Sequence, residues 1–193
     1  MPNFDALISR LNADYPQHFE RGTAFERVCK WFLKQDPYYS QEFRNVWLWD
    51  EWPDRWGPDL GIDLVAETVA GKLVAVQAKC YADTVPLDEI DKFISASSRP
   101  EFAQRLLIAT SGINRNAEYK LTHQDKPSPF LLGYQLRDWP VDWLAASDAS
   151  RSARLTPKTP YPYQQTVVDD VVQGFKSADR GKVGCDPRHA RRS

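Results

Sequence analysis

A mixed β-sheet with helices around it, an α/β or α+β domain, is predicted for these 193 residues on three observations. Apolar residues recur at helical spacing near the start and again near residue 90, strand-like apolar runs fill the middle, and the predicted order is α, α, β, β, β, α, β, α, β. With 42% apolar residues and a net charge of −1, the chain is large enough for one buried core plus an appendage.

The elements follow in order. Phe4, Leu7, Ile8 and Leu11 mark a first helix behind Asn3 as N-cap, closed by Pro16. A second helix is expected after Gly22, with Phe25, Val28, Cys29 and Phe32 on one stripe and Pro37 beyond its end. Trp47 and Trp49 have strand spacing, and Pro53 ends that strand. Leu60 to Ala66 and Leu73 to Cys80 read as two strands of a hairpin, joined through Val69-Ala70-Gly71. Leu87, Ile90, Phe93 and Ile94 predict a helix over 87–98, Leu106 to Thr110 a buried strand, Asn114 to Thr122 a short helix, and Phe130 to Tyr134 a last short strand. From Ala145 the composition turns to Ala, Ser, Thr, Arg and Pro, so a domain is expected over 1–146 and a linker over 147–160.

Charge and cysteine usage exclude several classes. No run approaches the roughly 18 apolar residues needed to span a bilayer, and the first residues lack a signal-peptide pattern, so the expected compartment is cytoplasmic with no membrane partner. Cys29, Cys80 and Cys185 lack zinc-ribbon or disulfide-framework spacing. Residues 151–193 carry nine Lys and Arg against four acids, a net of +5, which leaves −6 for residues 1–150. The main domain therefore shows no basic stripe in its bulk charge, and any DNA chemistry there would lean on metal ions or another domain.

The hairpin carries the candidate chemistry. Leu60, Ile62, Leu64 and Ala66 share one face with Val74, Val76 and Ala78, which leaves Asp63, Gln77 and Lys79 on the other. A three-residue loop puts Asp63 directly across from Gln77, and Lys79 then lies diagonally at roughly 7 to 8 Å. Asp63, the Gln77 side-chain oxygen and the Ala78 carbonyl form a hard oxygen set suited to Mg2+, with Mn2+ as an alternative ion. Such an ion would polarise a phosphodiester and lower the pKa of a water, while Lys79 orients that water, acts as the catalytic base or stabilises developing charge. Glu26, on the second helix, is a further candidate carboxylate.

Gly61-Ile62-Asp63-Leu64-Val65-Ala66 followed by Gln77-Ala78-Lys79 resembles the Asp…Gln-x-Lys version of the PD-(D/E)XK motif of Mrr-like restriction endonucleases. The resemblance extends to Gly22-Thr23-Ala24-Phe25-Glu26, to Trp49-Asp50-Glu51-Trp52-Pro53 and to Leu107-Ile108-Ala109-Thr110-Ser111, over most of residues 20–145. It is most similar to the N-terminal nuclease domain of type ISP and related helicase-linked restriction enzymes. The resemblance implies a restriction-endonuclease-like three-layer α/β fold, with a central mixed β-sheet flanked by helices. It also implies Mg2+-dependent endonuclease activity on double-stranded DNA, with Asp63, Gln77, Lys79 and Glu26 as catalytic residues, and a homodimer on DNA for cutting both strands.

Pro160-Tyr161-Pro162-Tyr163-Gln164-Gln165 resembles the start of the translocase in those enzymes. The pattern then departs: around Gly181-Lys182, Lys176 stands where a phosphate loop has its first Gly and Val183 where it has its hydroxyl. Residues 161–193 are thus expected to be the start of a truncated motor region with a basic, disordered tail, the helicase and methyltransferase modules lying outside this polypeptide through truncation or a frame change.

Each signal has a plainer rival. Thr23-x-x-Glu26 fits a helix capping box, Asp59 fits a turn former as well as a second acid, and the tryptophans pack a core as readily as they stack bases. A catalytically inactive DNA-binding or protein-docking remnant is the alternative to the enzyme.

Overall fold

The computed structural model describes residues 3–58 and 61–147. Helices α1 (Phe4–Asp14), α2 (His18–Gln35) and α3 (Tyr39–Glu42) lead into strand β1 (Phe43–Leu48) and a 3-10 turn over Trp49–Glu51. Strands β2 (Leu64–Thr68) and β3 (Leu73–Lys79) form the hairpin, followed by α4 (Leu87–Ala96), β4 (Phe102–Ala109), α5 (Arg115–Thr122), β5 (Phe130–Leu131), α6 (Gly133–Asp138) and a 3-10 turn over Trp143–Ser147. The sheet order is β1-β2-β3-β4-β5, antiparallel across the first two pairings and parallel across the last two. Parallel neighbours need a crossover, which α4 supplies between β3 and β4 and α5 between β4 and β5.

Helices cover both faces of the sheet. On one, α1 and α2 pack Phe4, Leu7, Phe25, Phe32 and Leu33 against Leu64, Ala66, Val74, Val76 and Ala78. On the other, Ile90 and Phe93 of α4 and Ala117 and Leu121 of α5 meet Val65, Ala75, Leu107 and Ala109. Each large side chain so buried contributes roughly 1.5–3 kcal/mol, which is why both faces of the central strands read as apolar. The result is the three-layer α/β arrangement expected from the sequence.

Several boundaries differ from the sequence expectation. The second helix starts at His18, so Gly22 and Thr23 lie inside it and the Thr23–Glu26 capping box does not form. Asn3 makes no side-chain cap; its amide instead donates to Asp142 (2.7 Å), and its Oδ1 accepts from the Trp143 N–H (2.7 Å), fastening α1 to the last turn. Trp49 lies in the 3-10 turn rather than in β1. The expected strand over Phe130–Tyr134 is two residues long and gives way to α6. The strand predicted over Leu60–Ala66 begins only at Leu64, and Ile62 joins the core on the opposite face. The reason is Gly61 at φ +112°, a conformation open to glycine, which turns the chain off the ladder.

The tryptophans pack: Trp49 and Trp52 are buried with ring centroids 5.5 Å apart, and both contact Trp56. Cys29 and Cys80 are buried free thiols. No helix among the described residues is long and apolar enough to cross a membrane. Apart from Ser147, the linker and the segment 161–193 lie outside the described residues, as do Asp59 and Cys185.

Candidate active site

The hairpin register is the one that loop length and face parity require, with Leu64 opposite Val76 and Ala66 opposite Val74. One more step would set Asp63 opposite Gln77, but there the ladder ends. The Asp63 N–H donates to the Val76 carbonyl (3.0 Å), and the Ala78 N–H, which a continuing β2 would bond through its backbone, donates to Asp63 Oδ2 instead (2.7 Å). On the other side the Asp63 carbonyl accepts from the Trp49 N–H (2.8 Å), so the chain leaving β1 holds Asp63 from behind. Asp63 is 7% exposed.

Backbone alternation then places the next donor atom. Along β3 the groups of Lys79 face β4, where its carbonyl accepts from the Thr110 N–H (2.9 Å). Those of Ala78 face the opposite way, so its carbonyl points into the space that β2 has left. Gln77 is fully buried; its Nε2 donates to the Gly61 carbonyl (3.1 Å), and among the described residues its Oε1 has no hydrogen-bond partner. A buried acceptor left alone costs about 1–3 kcal/mol, so its retention needs a reason.

Lys79, with a side chain 16% exposed, forms an ion pair with Glu89 of α4 (Nζ to Oε2, 2.8 Å). Burial pulls the Lys79 ammonium down, but the Asp63 and Glu89 carboxylates, with a further contribution from Tyr81, outweigh it and hold it above its ordinary value. Hydrogen bonds from Lys79 and Lys92 hold Glu89 below the usual carboxylate range. Reasoning from the hairpin and the second helix misses Glu89, whose one signal in the sequence is the acidic first turn of α4, Asp88-Glu89.

Glu26 sits half-buried in the third turn of α2. It stands near the same centre from the α1/α2 side: the buried Cys29 thiol is pushed well up by burial first, then by Asp63, Cys80 and Glu26. The fold thus gathers Asp63, Gln77, Ala78 and Lys79 at the carboxyl end of β3, where open α/β sheets place their ligands.

Among the described residues no three His, Cys, Asp or Glu side chains group so as to hold a metal ion. The donor set that fits a hard cation is mixed instead: the Asp63 carboxylate, the orphaned Gln77 Oε1 and the Ala78 carbonyl.

Comparison with known proteins identifies the family of this domain. Residues 34–153 match the Mrr-type catalytic family model described as a restriction endonuclease. The chain is similar to an ATP-dependent type ISP restriction-modification enzyme, LlaBIII, solved bound to DNA, at 32% identity and a TM-score of 0.68 over 92% of this chain and 11% of that one. It also resembles the MspJI restriction endonuclease, solved with a 27-mer oligonucleotide, at 18% identity and a TM-score of 0.51 over 70% of this chain and 30% of that one, a likeness of fold. No curated protein matches the sequence. This chain thus spans a small part of the length of the solved enzymes it matches. On the family match, which covers more than half of its residues, the chain belongs to the Mrr-type restriction endonucleases, a family of deoxyribonucleases.

Proposed function

We propose that this chain is a Mg2+-dependent DNA endonuclease, the nuclease module of a restriction-modification system, and that Asp63, Gln77, Lys79 and Glu26 carry its chemistry. The observation behind this reading is the buried Gln77 Oε1, without a hydrogen-bond partner among the described residues, next in the chain to Ala78, whose N–H donates to the Asp63 carboxylate where β2 leaves β3. Asp63, Gln77 Oε1 and the Ala78 carbonyl would hold the ion. When bound, Mg2+ supplies charge to polarise the phosphate and acidify a water, and Mn2+ has the same preference for oxygen ligands.

The side chains perform the rest. Lys79, held as an ammonium by Asp63 and Glu89, places fixed positive charge where the phosphorane develops negative charge. Glu89 positions the Lys79 stem, and Glu26 offers a carboxylate from the facing helix. The packed tryptophans and the α4 contacts keep these groups rigid.

With one such centre among the described residues, cutting both strands calls for two chains meeting on DNA, and a translocase and methyltransferase are the partners that a nuclease similar to the type ISP enzyme would serve. The test is nicking of supercoiled plasmid by the purified chain with Mg2+ or Mn2+, beside Asp63→Ala, Lys79→Ala and an EDTA control. Metal-dependent nicking lost in both variants is the expected result. A folded wild-type protein that binds DNA and never nicks it would replace the enzyme with an inactive DNA-binding module.

A further inference from the structure

We propose that a cationic groove between α2 and β1 binds backbone phosphates of the DNA strand running away from the active site, a substrate subsite that rests on the nuclease reading above. Net charge over residues 1–150 is −6, which conceals it. The fold brings Lys30 and Lys34 of α2 together with Arg44 of β1 around a cavity of about 350 Å³, whose walls also include Ser40, Asn45 and Trp47. Among the described residues no acid lines that cavity.

Position relative to the catalytic centre follows from helix geometry. Glu26, Lys30 and Lys34 are spaced i, i+4, i+8, so they form one row along α2. At a rise of about 1.5 Å per residue, Lys30 lies about 6 Å and Lys34 about 12 Å beyond Glu26 along the axis. A DNA strand advances about 3.4 Å per nucleotide, so a strand laid along α2 with its scissile phosphate at Glu26 would pass the groove roughly two to four nucleotides on.

The cations are held in place by groups outside the cavity wall. Lys30 pairs with Glu51, which is fixed in turn by the Leu48 N–H (2.9 Å). Arg44 donates to the Val69 carbonyl (2.7 Å) and lies 4.0 Å from Glu67, itself hydrogen-bonded to Asn45 (2.8 Å). Arg44 stays 58% exposed and Lys30 26% exposed, so both are oriented yet reachable. β1 is the edge of the sheet, which leaves this side of the groove open to a long polymer. Ser40 and Asn45 add neutral hydrogen-bonding groups of the kind that contact phosphate and sugar oxygens.

The experiment measures binding of a fluorescent 20-bp duplex by anisotropy, in EDTA so that no cutting occurs, as a function of KCl. The full-length chain is compared with the triple variant Lys30→Ala/Lys34→Ala/Arg44→Ala. A control of equal charge change, Arg115→Ala/Lys120→Ala/Arg137→Ala, removes cations from α5 and α6. Every phosphate left without its cation lowers the slope of log K against log[salt] by about 0.9, so the groove variant is expected to lose about 2–3 from the slope, with at least about tenfold weaker binding at 0.1 M salt. Thermal melts of both variants verify folding, and the single variant Lys34→Ala, the mildest change, is expected to lose about one unit of slope. A groove variant no different from the control overturns the proposal, as does a wild-type chain that does not bind the duplex. Plasmid nicking assayed separately keeps the two readings apart: groove-dependent binding without nicking sinks the nuclease and keeps the groove, and nicking with groove-independent binding does the reverse.

Discussion

Gln77 combines a cost to the fold with a place in the proposed metal site. Its amide is fully buried, its Nε2 is spent on the Gly61 carbonyl, and its Oε1 bonds nothing among the described residues. Gln77→Met keeps the length and removes the orphan, so the metal-free variant is expected to melt within about 1 kcal/mol of the wild type. Mg2+ should raise the melting temperature of the wild type by ligand linkage and leave Gln77→Met unmoved, as read by thermal shift across a metal titration. An equal metal response in both proteins would remove Gln77 from the ligand set. Glu89 yields a pH test. Its carboxylate is held below the ordinary value by Lys79 and Lys92, so its stabilisation is present above the unfolded pKa and lost as pH falls through the folded one. Glu89→Gln is expected to cost about 1–2 kcal/mol at pH 7 in urea denaturation and to flatten the decline of stability below pH about 4.5.

Elements place these residues by where they start and stop. β2 starts late because Gly61 diverts the chain, and that late start is what gives the Ala78 N–H to a side chain rather than to a strand. α6 begins at Gly133, where an added Cβ would come within 2.1 Å of the Thr110 carbonyl oxygen. Thr110 in turn bonds the backbone of Lys79 and Tyr81, so α6 is seated directly on the end of β3. Gly133→Ala forces a backbone shift and is expected to destabilise by at least about 2 kcal/mol in chemical denaturation, with nicking impaired in the surviving folded fraction. The carboxyl end of α4 is finished by cations: Lys126 donates to the Ser97 and Ser98 carbonyls (3.0 and 2.8 Å), and buried Arg105 to the Ile94 carbonyl (3.3 Å). Lys126→Ala should therefore cost about 0.5–1 kcal/mol of stability, measured the same way.

For the whole molecule, burial on both faces of the sheet decides which polar groups meet. Helices on the two sides leave the carboxyl end of β3 as the place where Asp63, Gln77 and Lys79 come together, with Glu89 arriving from one layer and Glu26 from the other. One proposed centre among the described residues leads to a kinetic expectation. Linearisation of plasmid should rise more steeply than first order in protein concentration, and sedimentation with a short duplex and Mg2+ should show two chains per DNA. A single chain per duplex under cutting conditions would count against pairing.

Much of this is legible in the chain before any folding. The stripe of Phe25, Val28, Cys29 and Phe32, the alternation in Leu64 to Ala66 and Val74 to Ala78, and the length of the Val69-Ala70-Gly71 turn determine the second helix and one hairpin register, because residue spacing along an element dictates which side chains share a face. That register ends at Leu64 opposite Val76, and Asp63 reaches β3 through its own bonds to the Val76 carbonyl and the Ala78 N–H. Tertiary structure decided the rest: that Thr23 and Glu26 lie inside a helix begun at His18, that Ile62 packs on the far face, that Glu89 closes on Lys79, and that Lys30, Lys34 and Arg44 share a groove inside an acidic domain. Those pairings join residues of different elements, and what brings the elements together is the burial of a sheet from both sides, a demand of the whole chain that local spacing does not carry.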